Sequence, residues 1–264
     1  MSSSNGKYAL ITGGSDGIGY ELSKLFARDG YNLVIVARDR NRLEQVADKL
    51  SNEYKTTVIP ISKDLFLKDA ASEIYAELQM KEIKIDVLVN DAGQGQHGFF
   101  ADTELQRDID LIQLNIISLV SLTKLFMKNM LERNEGRILQ LASVVSVYPA
   151  PLLAIYAATK AFVLSFTEAL ANELKDTNVT VTALMPGATE TDFFNKADAE
   201  NTKEFQESSL ATPADVAKDG YDALMKGEVK VISGLRNKVQ ATMSNIMPDS
   251  ALAAQMRKKM EAPE

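Results

Sequence analysis

Short runs of consecutive apolar residues recur along this chain, with stretches of helical spacing between them. The clearest run is Asn32–Ala37 (NLVIVA). A strand covered on one face alternates apolar with polar residues; a continuous apolar run suits a strand covered on both faces, as in a parallel sheet. Tyr8–Ile11, Thr57–Ile61, Asp86–Asn90, Gly136–Leu141, Val179–Met185 and Val229–Ser233 read as strands in the same way. Helical patterns fall between them, at about 18–28, 40–50, 68–80, 103–131 and 152–175, and a further helix begins at Thr212-Pro213, since proline suits a first turn. This alternation predicts an α/β doubly wound parallel sheet of about seven strands. No repeat, low-complexity segment or linker divides the chain, so residues 1–264 are expected to form a single domain.

Composition narrows the chemistry. Apolar residues make up 45% and charged residues 25%, an ordinary globular balance. The absence of cysteine excludes disulfides, thiol catalysis and cysteine metal sites. The one histidine, His97, argues against a histidine metal cluster or a Ser-His-Asp triad, so no metal is expected. A formal charge of −7 argues against a nucleic-acid partner. The start, MSSSNGK, is polar and has no signal-peptide character, and no apolar run reads as long enough to span a membrane. The expectation is a cytoplasmic protein.

The first strand runs into TGGSDGIG, Thr12 to Gly19, and then a helix. A strand, a glycine-rich turn and a helix start form the geometry that receives a pyrophosphate. The spacing, Gly13-x3-Gly17-x-Gly19, differs from GxGxxG. The second strand ends at Arg38, with Arg42 one turn on and no carboxylate at the strand end. In dinucleotide sites an acidic residue there holds a ribose 2′-hydroxyl and an arginine suits a 2′-phosphate, which favours NADP(H) over NAD(H). Asp16, inside the glycine turn, is a charge in the opposite sense. Asp64-Leu65 follows the third strand, and Asn90-Asp91-Ala92-Gly93 makes a second glycine turn after the fourth.

Tyr156 and Lys160 lie four residues apart, hence on one helix face. An ammonium beside a phenol favours the phenolate, so the pair is expected to bring the tyrosine's pKa toward neutrality. Ser143, after the fifth strand, offers a hydroxyl to a carbonyl oxygen. Asn115 is an amide inside an apolar helical pattern and must find partners.

Together these segments resemble the short-chain dehydrogenase/reductase family over about residues 6 to 233. TGGSDGIG resembles the TGxxxGIG cofactor loop; NDAG resembles NNAG, with Asp91 in place of the second asparagine; and Pro186-Gly187 to Thr191 resembles PGxVxT, with Thr189 for valine. Asn115, Ser143, Tyr156 and Lys160 match the catalytic tetrad at the Ser-x12-Tyr-x3-Lys spacing. The resemblance implies a Rossmann fold and hydride transfer between a nicotinamide cofactor and a carbonyl/alcohol pair. Tyr156 is then the general acid; Lys160 lowers its pKa and holds the nicotinamide ribose; Ser143 positions the carbonyl; and Asn115 holds a water toward Lys160. Cofactor contacts are implied for Thr12, Gly13, Ser15, Asp16, Gly17, Ile18, Gly19, Arg38, Arg42, Asp64, Leu65, Asn90, Ala92, Gly93, Tyr156, Lys160, Pro186, Gly187 and Thr191. The alternatives are a redox sensor or scaffold that binds the cofactor without turnover, which usually lacks the tyrosine or lysine, and an epimerase or dehydratase of the extended branch.

Residues 188–210 are polar apart from Phe193-Phe194 and read as a lid or binding loop. Phe193, Phe194, Pro149, Leu152, Leu153 and Phe99 are expected to line an apolar pocket for a hydrophobic ketone, aldehyde or acyl chain. Residues 233–264 form a helical C-terminal extension, in which Leu235, Val239, Met243 and Ile246 recur at near-helical spacing and a second helix follows Pro248-Asp249-Ser250. Such a tail packs on its own domain or on a partner subunit more often than on a membrane surface. The helices at 103–131 and 152–175 are apolar on more than one face, which points to a homodimer or homotetramer.

Overall fold

The computed structural model describes residues 6–207, 209–244 and 247–263. Met1–Asn5, read above as a polar start, and Ile246, the fourth member of the tail stripe, lie outside the described residues.

Seven parallel strands form one sheet: β1 (Tyr8–Thr12), β2 (Asn32–Ala37), β3 (Val58–Ser62), β4 (Ile85–Asn90), β5 (Gly136–Leu141), β6 (Val179–Met185) and β7 (Lys230–Ile232), in the order β3-β2-β1-β4-β5-β6-β7. Helices α1 (Gly17–Arg28), α2 (Arg40–Tyr54) and α9 (Pro213–Lys226) cover one face. The other is covered by α3 (Ala70–Met80), α5 (Leu119–Arg133) and α6 (Ala154–Glu173).

The continuous apolar runs follow from this arrangement. Successive side chains of a strand point to opposite faces, so Leu33 and Ile35 join Leu22, Phe26 and Leu50 of α1 and α2. Val34 and Val36 turn the other way, toward Ile74, Leu78 and Phe126 of α3 and α5. All four β2 side chains are fully buried. Chain order reverses between β1 and β4, whose last residues, Thr12 and Asn90, are paired in register. A ligand crevice in a sheet of this kind opens at that switch point, beyond the carboxyl ends of the strands.

The long helix expected at 103–131 runs on from Leu105 to Arg133 with a change of pitch inside it. Between α4 (Leu105–Ile112) and α5 lies a π-helical turn, Gln113–Ser118, and Asn115 sits within it. By length and composition, Leu105–Arg133 and Ala154–Glu173 are apolar enough to cross a membrane, which corrects the expectation that no such run exists. Each packs partly into the domain. Their outer sides leave Leu105, Ile109, Ile112, Ile117 and Phe162 exposed.

The loop at 188–210 contains two short helices, α7 (Phe193–Lys196) and α8 (Lys203–Glu207). The tail forms α10 (Leu235–Ser244) and α11 (Asp249–Met260). The α11 helix docks on its own chain: Leu252, Met256 and Met260 are buried among Val145, Tyr148, Leu152 and Leu153. Three further contacts pin it, from His97 Nε2 to the Met260 carbonyl (2.7 Å), from the Lys203 N–H to the Glu261 carbonyl (3.0 Å), and between the Arg257 guanidinium and the Phe99 ring (5.4 Å). On α10 the expected stripe faces outward, with Leu235, Val239 and Met243 more than half exposed.

Candidate functional site

Two glycine turns meet at the switch point, and Thr12 ties them together. Its hydroxyl donates to the Val89 carbonyl and accepts from the N–H groups of Asp91 and Ala92, both at 3.1 Å. Gly13 holds φ +73°, which a side chain would strain, and its N–H bonds the Val36 carbonyl at 2.8 Å. At Gly19 a Cβ would lie only 2.5 Å from both Asp91 Oδ2 and the Gly13 carbonyl. Glycine at these two positions lets the turns close on each other. Asn90 lies behind them, donating to Thr123 and Gln140 at 3.0 and 2.9 Å.

Asp16 caps α1, accepting the Gly17 N–H at 2.8 Å. Its other neighbour is Arg42, whose guanidinium pairs with it at 2.8 Å across two partly exposed side chains. Asp16 is therefore neutralised locally, and Arg42 is engaged. Arg38 stays at the end of β2 with its guanidinium 5.1 Å from the Phe66 ring centre. Asp64 accepts the Phe66 N–H, which fixes that ring beside Leu65.

On the other side of the crevice, Ser143 caps a 3₁₀ turn (Val144–Val147) after β5, accepting the Val145 N–H at 3.3 Å and donating weakly to the Pro186 carbonyl at 3.4 Å. Tyr156 and Lys160 rise from the first turns of α6. The Lys160 ammonium donates to the Leu141 carbonyl at 2.6 Å and lies 5.7 Å from the Tyr156 ring centre. Burial pushes the Tyr156 phenol up to about 12, against a hydrogen bond with Ser143 that pulls it down. Desolvation of the phenolate thus acts in the direction opposite to that expected of a neighbouring ammonium. Burial also lowers Lys160 to about 8, with Asp91 opposing it, and raises Asp91 to about 7, with Lys160 opposing it.

Asn115 spends both amide N–H groups and one acceptor lone pair on neighbours. Its Oδ1 accepts the Gln94 N–H (3.1 Å), while Nδ2 donates to the Gln94 carbonyl (2.9 Å) and to Thr159 Oγ1 (3.0 Å). The side chain thus pins the segment after Gly93, where Arg107 also donates to Gln94 Oε1 at 2.7 Å.

Most of these groups converge on a cavity of about 790 Å³. Of the residues expected at the site, Gly13, Ser15, Asp16, Gly17, Ile18, Arg38, Arg42, Asp64, Leu65, Ala92, Gly93, Ser143, Tyr156, Lys160, Pro186, Gly187 and Thr191 line it. Thr12, Gly19, Asn90 and Asn115 do not; they brace the turns from behind. Phe193, Phe194 and Leu153 form apolar wall as expected, with the Phe193 ring 4.9 Å from that of Tyr156. Pro149, Leu152 and Phe99 are not in it. Leu152, at φ +66°, turns into the cluster under α11, and Phe99 is exposed beneath Arg257. Their places are taken by Tyr148, Gln240, Met256, Lys259 and Met260, and by Glu204, which pairs with Lys259 at 3.2 Å. The i, i+4 spacing of Met256 and Met260 was the available signal for a packed face, without saying against what.

A dinucleotide fits the residues present. The two glycine turns and the N-terminus of α1 line the cavity, and Arg38 stands at the β2 end. The family model described as "short chain dehydrogenase" matches residues 7–202. A bovine very-long-chain 3-oxoacyl-CoA reductase is 36% identical over 185 residues, covering 69% of this chain and 59% of that protein, so the chain spans less than two thirds of that relative's length. Among solved structures, a short-chain dehydrogenase from Sphingobium yanoikuyae in complex with NADPH superposes with a TM-score of 0.83 at 29% identity over 98% of both chains. An alcohol dehydrogenase from Comamonas testosteroni, specific for bulky-bulky ketones, gives 0.77 at 30% identity over 91% of this chain and 93% of that one.

Proposed function

From a chain that belongs to the short-chain dehydrogenase/reductase family, we propose an NADP(H)-dependent oxidoreductase that interconverts a carbonyl and a secondary alcohol. The observation that carries the reading is the convergence of Ser143, Tyr156 and Lys160 with both glycine turns on one cavity. When bound, the nicotinamide supplies or accepts the hydride. In this reading Gly13, Ser15, Gly17, Ile18 and the N-terminus of α1 hold the pyrophosphate, Arg38 the 2′-phosphate, and Lys160 the nicotinamide ribose. Asp64 and Leu65 flank the adenine end, and Pro186, Gly187 and Thr191 the nicotinamide end.

The remaining steps belong to the chain. Tyr156, with its phenol raised to about 12, carries its proton at neutral pH and donates it from Oη to the carbonyl oxygen as the alkoxide develops. Ser143 releases its weak bond to the Pro186 carbonyl and donates to the same oxygen. The Lys160 ammonium then lies beside the phenolate that remains. Asn115 keeps the Gly93–Gln94 segment in place through its bonds to Gln94 and holds a water toward Lys160.

The wall of Leu153, Phe193, Phe194, Met256 and Met260 favours a substrate with a sizeable apolar body, in keeping with the ketone preference stated for the Comamonas enzyme. We place the enzyme in the cytoplasm, as one domain whose tail completes the pocket, and as a homodimer or homotetramer. The test is turnover of NADPH and NADH, followed at the reduced-cofactor absorbance, across ketones, aldehydes and 3-oxoacyl thioesters of graded size. Oxidation of NADPH by bulky apolar carbonyls is the expected result. Tight NADPH binding with no turnover on any of them would favour the redox-sensor reading instead.

A further inference from the structure

Asp91 is a buried carboxylate that the reaction above does not use. It stands in the turn after β4 among the residues that line the cavity, and its Oδ2 reaches between the two glycine turns. The carboxylate accepts the Gly19 N–H in the first turn of α1, and its Oδ2 fills the space that a side chain at Gly13 or Gly19 would need. Oδ1 is shut off from solvent and has no hydrogen-bond partner. A buried acceptor left in this state is costly. A neutral asparagine or a protonated carboxyl would hold the same bond to Gly19 without a buried charge.

The surrounding charges are few. From α6 the Lys160 ammonium favours the ionised form; from the turn before α1 Asp16 opposes it, though Arg42 on α2 already pairs with Asp16. Tyr156, its proton held firmly, adds no charge at neutral pH. The balance leaves the carboxyl raised to about 7, poised to change state for a modest change in local potential. A pyrophosphate docking on the first turn of α1 brings negative charge to the helix end whose Gly19 N–H Asp91 already holds, in a place where little water screens it.

We propose that Asp91 is a proton-carrying positioning residue: its Oδ2 clamps the two glycine turns together, and its Oδ1 takes up one proton from solvent when a dinucleotide pyrophosphate docks on α1. The new bond is O–H at Oδ1, and the proton comes from the buffer. The site then accommodates the phosphates without two anions sharing one helix end. This inference rests on the dinucleotide reading above, and its test does not depend on catalysis.

The test is calorimetric titration of the full-length protein with NADP+, and in parallel NAD+, at pH 7.5 in two buffers of different ionisation enthalpy. The difference in apparent heat gives the number of protons exchanged. Wild type is expected to take up most of one proton per nucleotide. Asp91→Asn, which keeps the shape and the bond to Gly19, is expected to lose more than half of that uptake and to bind at least as tightly as wild type. Binding with less than about a fifth of a proton taken up, or with the same uptake in Asp91→Asn, overturns the role of Asp91 and leaves the cofactor reading intact. Failure of both nucleotides to bind wild type overturns the cofactor reading and this role with it. Should the variant not fold, a wild-type count below about a fifth of a proton overturns the role by itself, and a larger count that vanishes in Asp91→Ser but persists in Lys160→Met supports it.

Discussion

Replacing Asn115 with leucine tests whether its amide is a structural pin. Leucine keeps the same number and branching of side-chain heavy atoms, so no large cavity opens, but three hydrogen bonds disappear. Thr159 keeps a partner, because its hydroxyl also donates to the Tyr156 carbonyl. The Gln94 N–H and carbonyl lose their bonds to this amide inside a buried segment. Each buried polar group left unsatisfied costs about 1–3 kcal/mol, so the sum is about 2–6 kcal/mol. For a chain of this size that corresponds to a fall in melting temperature of roughly 10 °C. Since Gly93, one residue back, lies against Lys160, turnover should also fall by about 10²-fold, the scale expected for an ångström-sized displacement of a catalytic group. Urea denaturation and thermal melts of wild type and Asn115→Leu provide the measurement. A loss below about 1 kcal/mol would mean that Gln94 finds other partners, and the bracing role assigned to Asn115 would be wrong.

Tyr156→Phe removes only the transferable proton and should lower turnover by about 10²–10⁴-fold with cofactor affinity nearly unchanged; steady-state rates within a few-fold of wild type would sink its assignment as general acid. Arg38→Ala should weaken NADP(H) binding by about 1.5–3 kcal/mol, roughly 10- to 150-fold, and leave NAD(H) untouched, as read by titration of both cofactors. Asp91→Asn should raise the melting temperature at pH 8 more than at pH 5. The folded pKa of about 7 lies above the ordinary aspartate value of 3.8, so native stability falls as pH rises between them and the penalty is complete above pH 7; an equal gain at both pH values would refute the buried-charge account. The apolar residues exposed on α4, the π-helical turn and α6, including Ile109, Ile112, Ile117 and Phe162, should be covered in a homo-oligomer. Light scattering that finds only the 29.0 kDa species at micromolar concentration would contradict this.

Much of this was legible in the sequence because the signals were local. Asn32–Ala37, Gly136–Leu141 and Val179–Met185 are strands with the expected bounds, since a run apolar on both faces has few other places to go. The glycine turns and the Tyr156–Lys160 pair came together because each is a short segment at the carboxyl end of a strand or the start of the helix after it. What was hidden depended on distant neighbours. Nothing in QLNIIS distinguishes a π-helical turn from a regular helix; the change of pitch accompanies an amide tied to a loop twenty-one residues earlier. Leu152 looks like pocket lining until its left-handed backbone turns it under α11. The tyrosine's pKa was read from its nearest charge, whereas the larger cause was the burial supplied by Phe193 and the surrounding wall.

The docking of α11 has a consequence for biosynthesis. The sheet is complete by Ile232, whereas Met256 and Met260 emerge from the ribosome only after every element they pack against. Domains fold largely as they are made, from the N-terminal side. The cofactor crevice between β1 and β4 is thus built from segments synthesised early, while one wall of the neighbouring pocket arrives late. A nascent chain should therefore become able to hold a dinucleotide before it can enclose a substrate, and during that interval the apolar surface around Tyr148 and Leu153 is open to other hydrophobic partners.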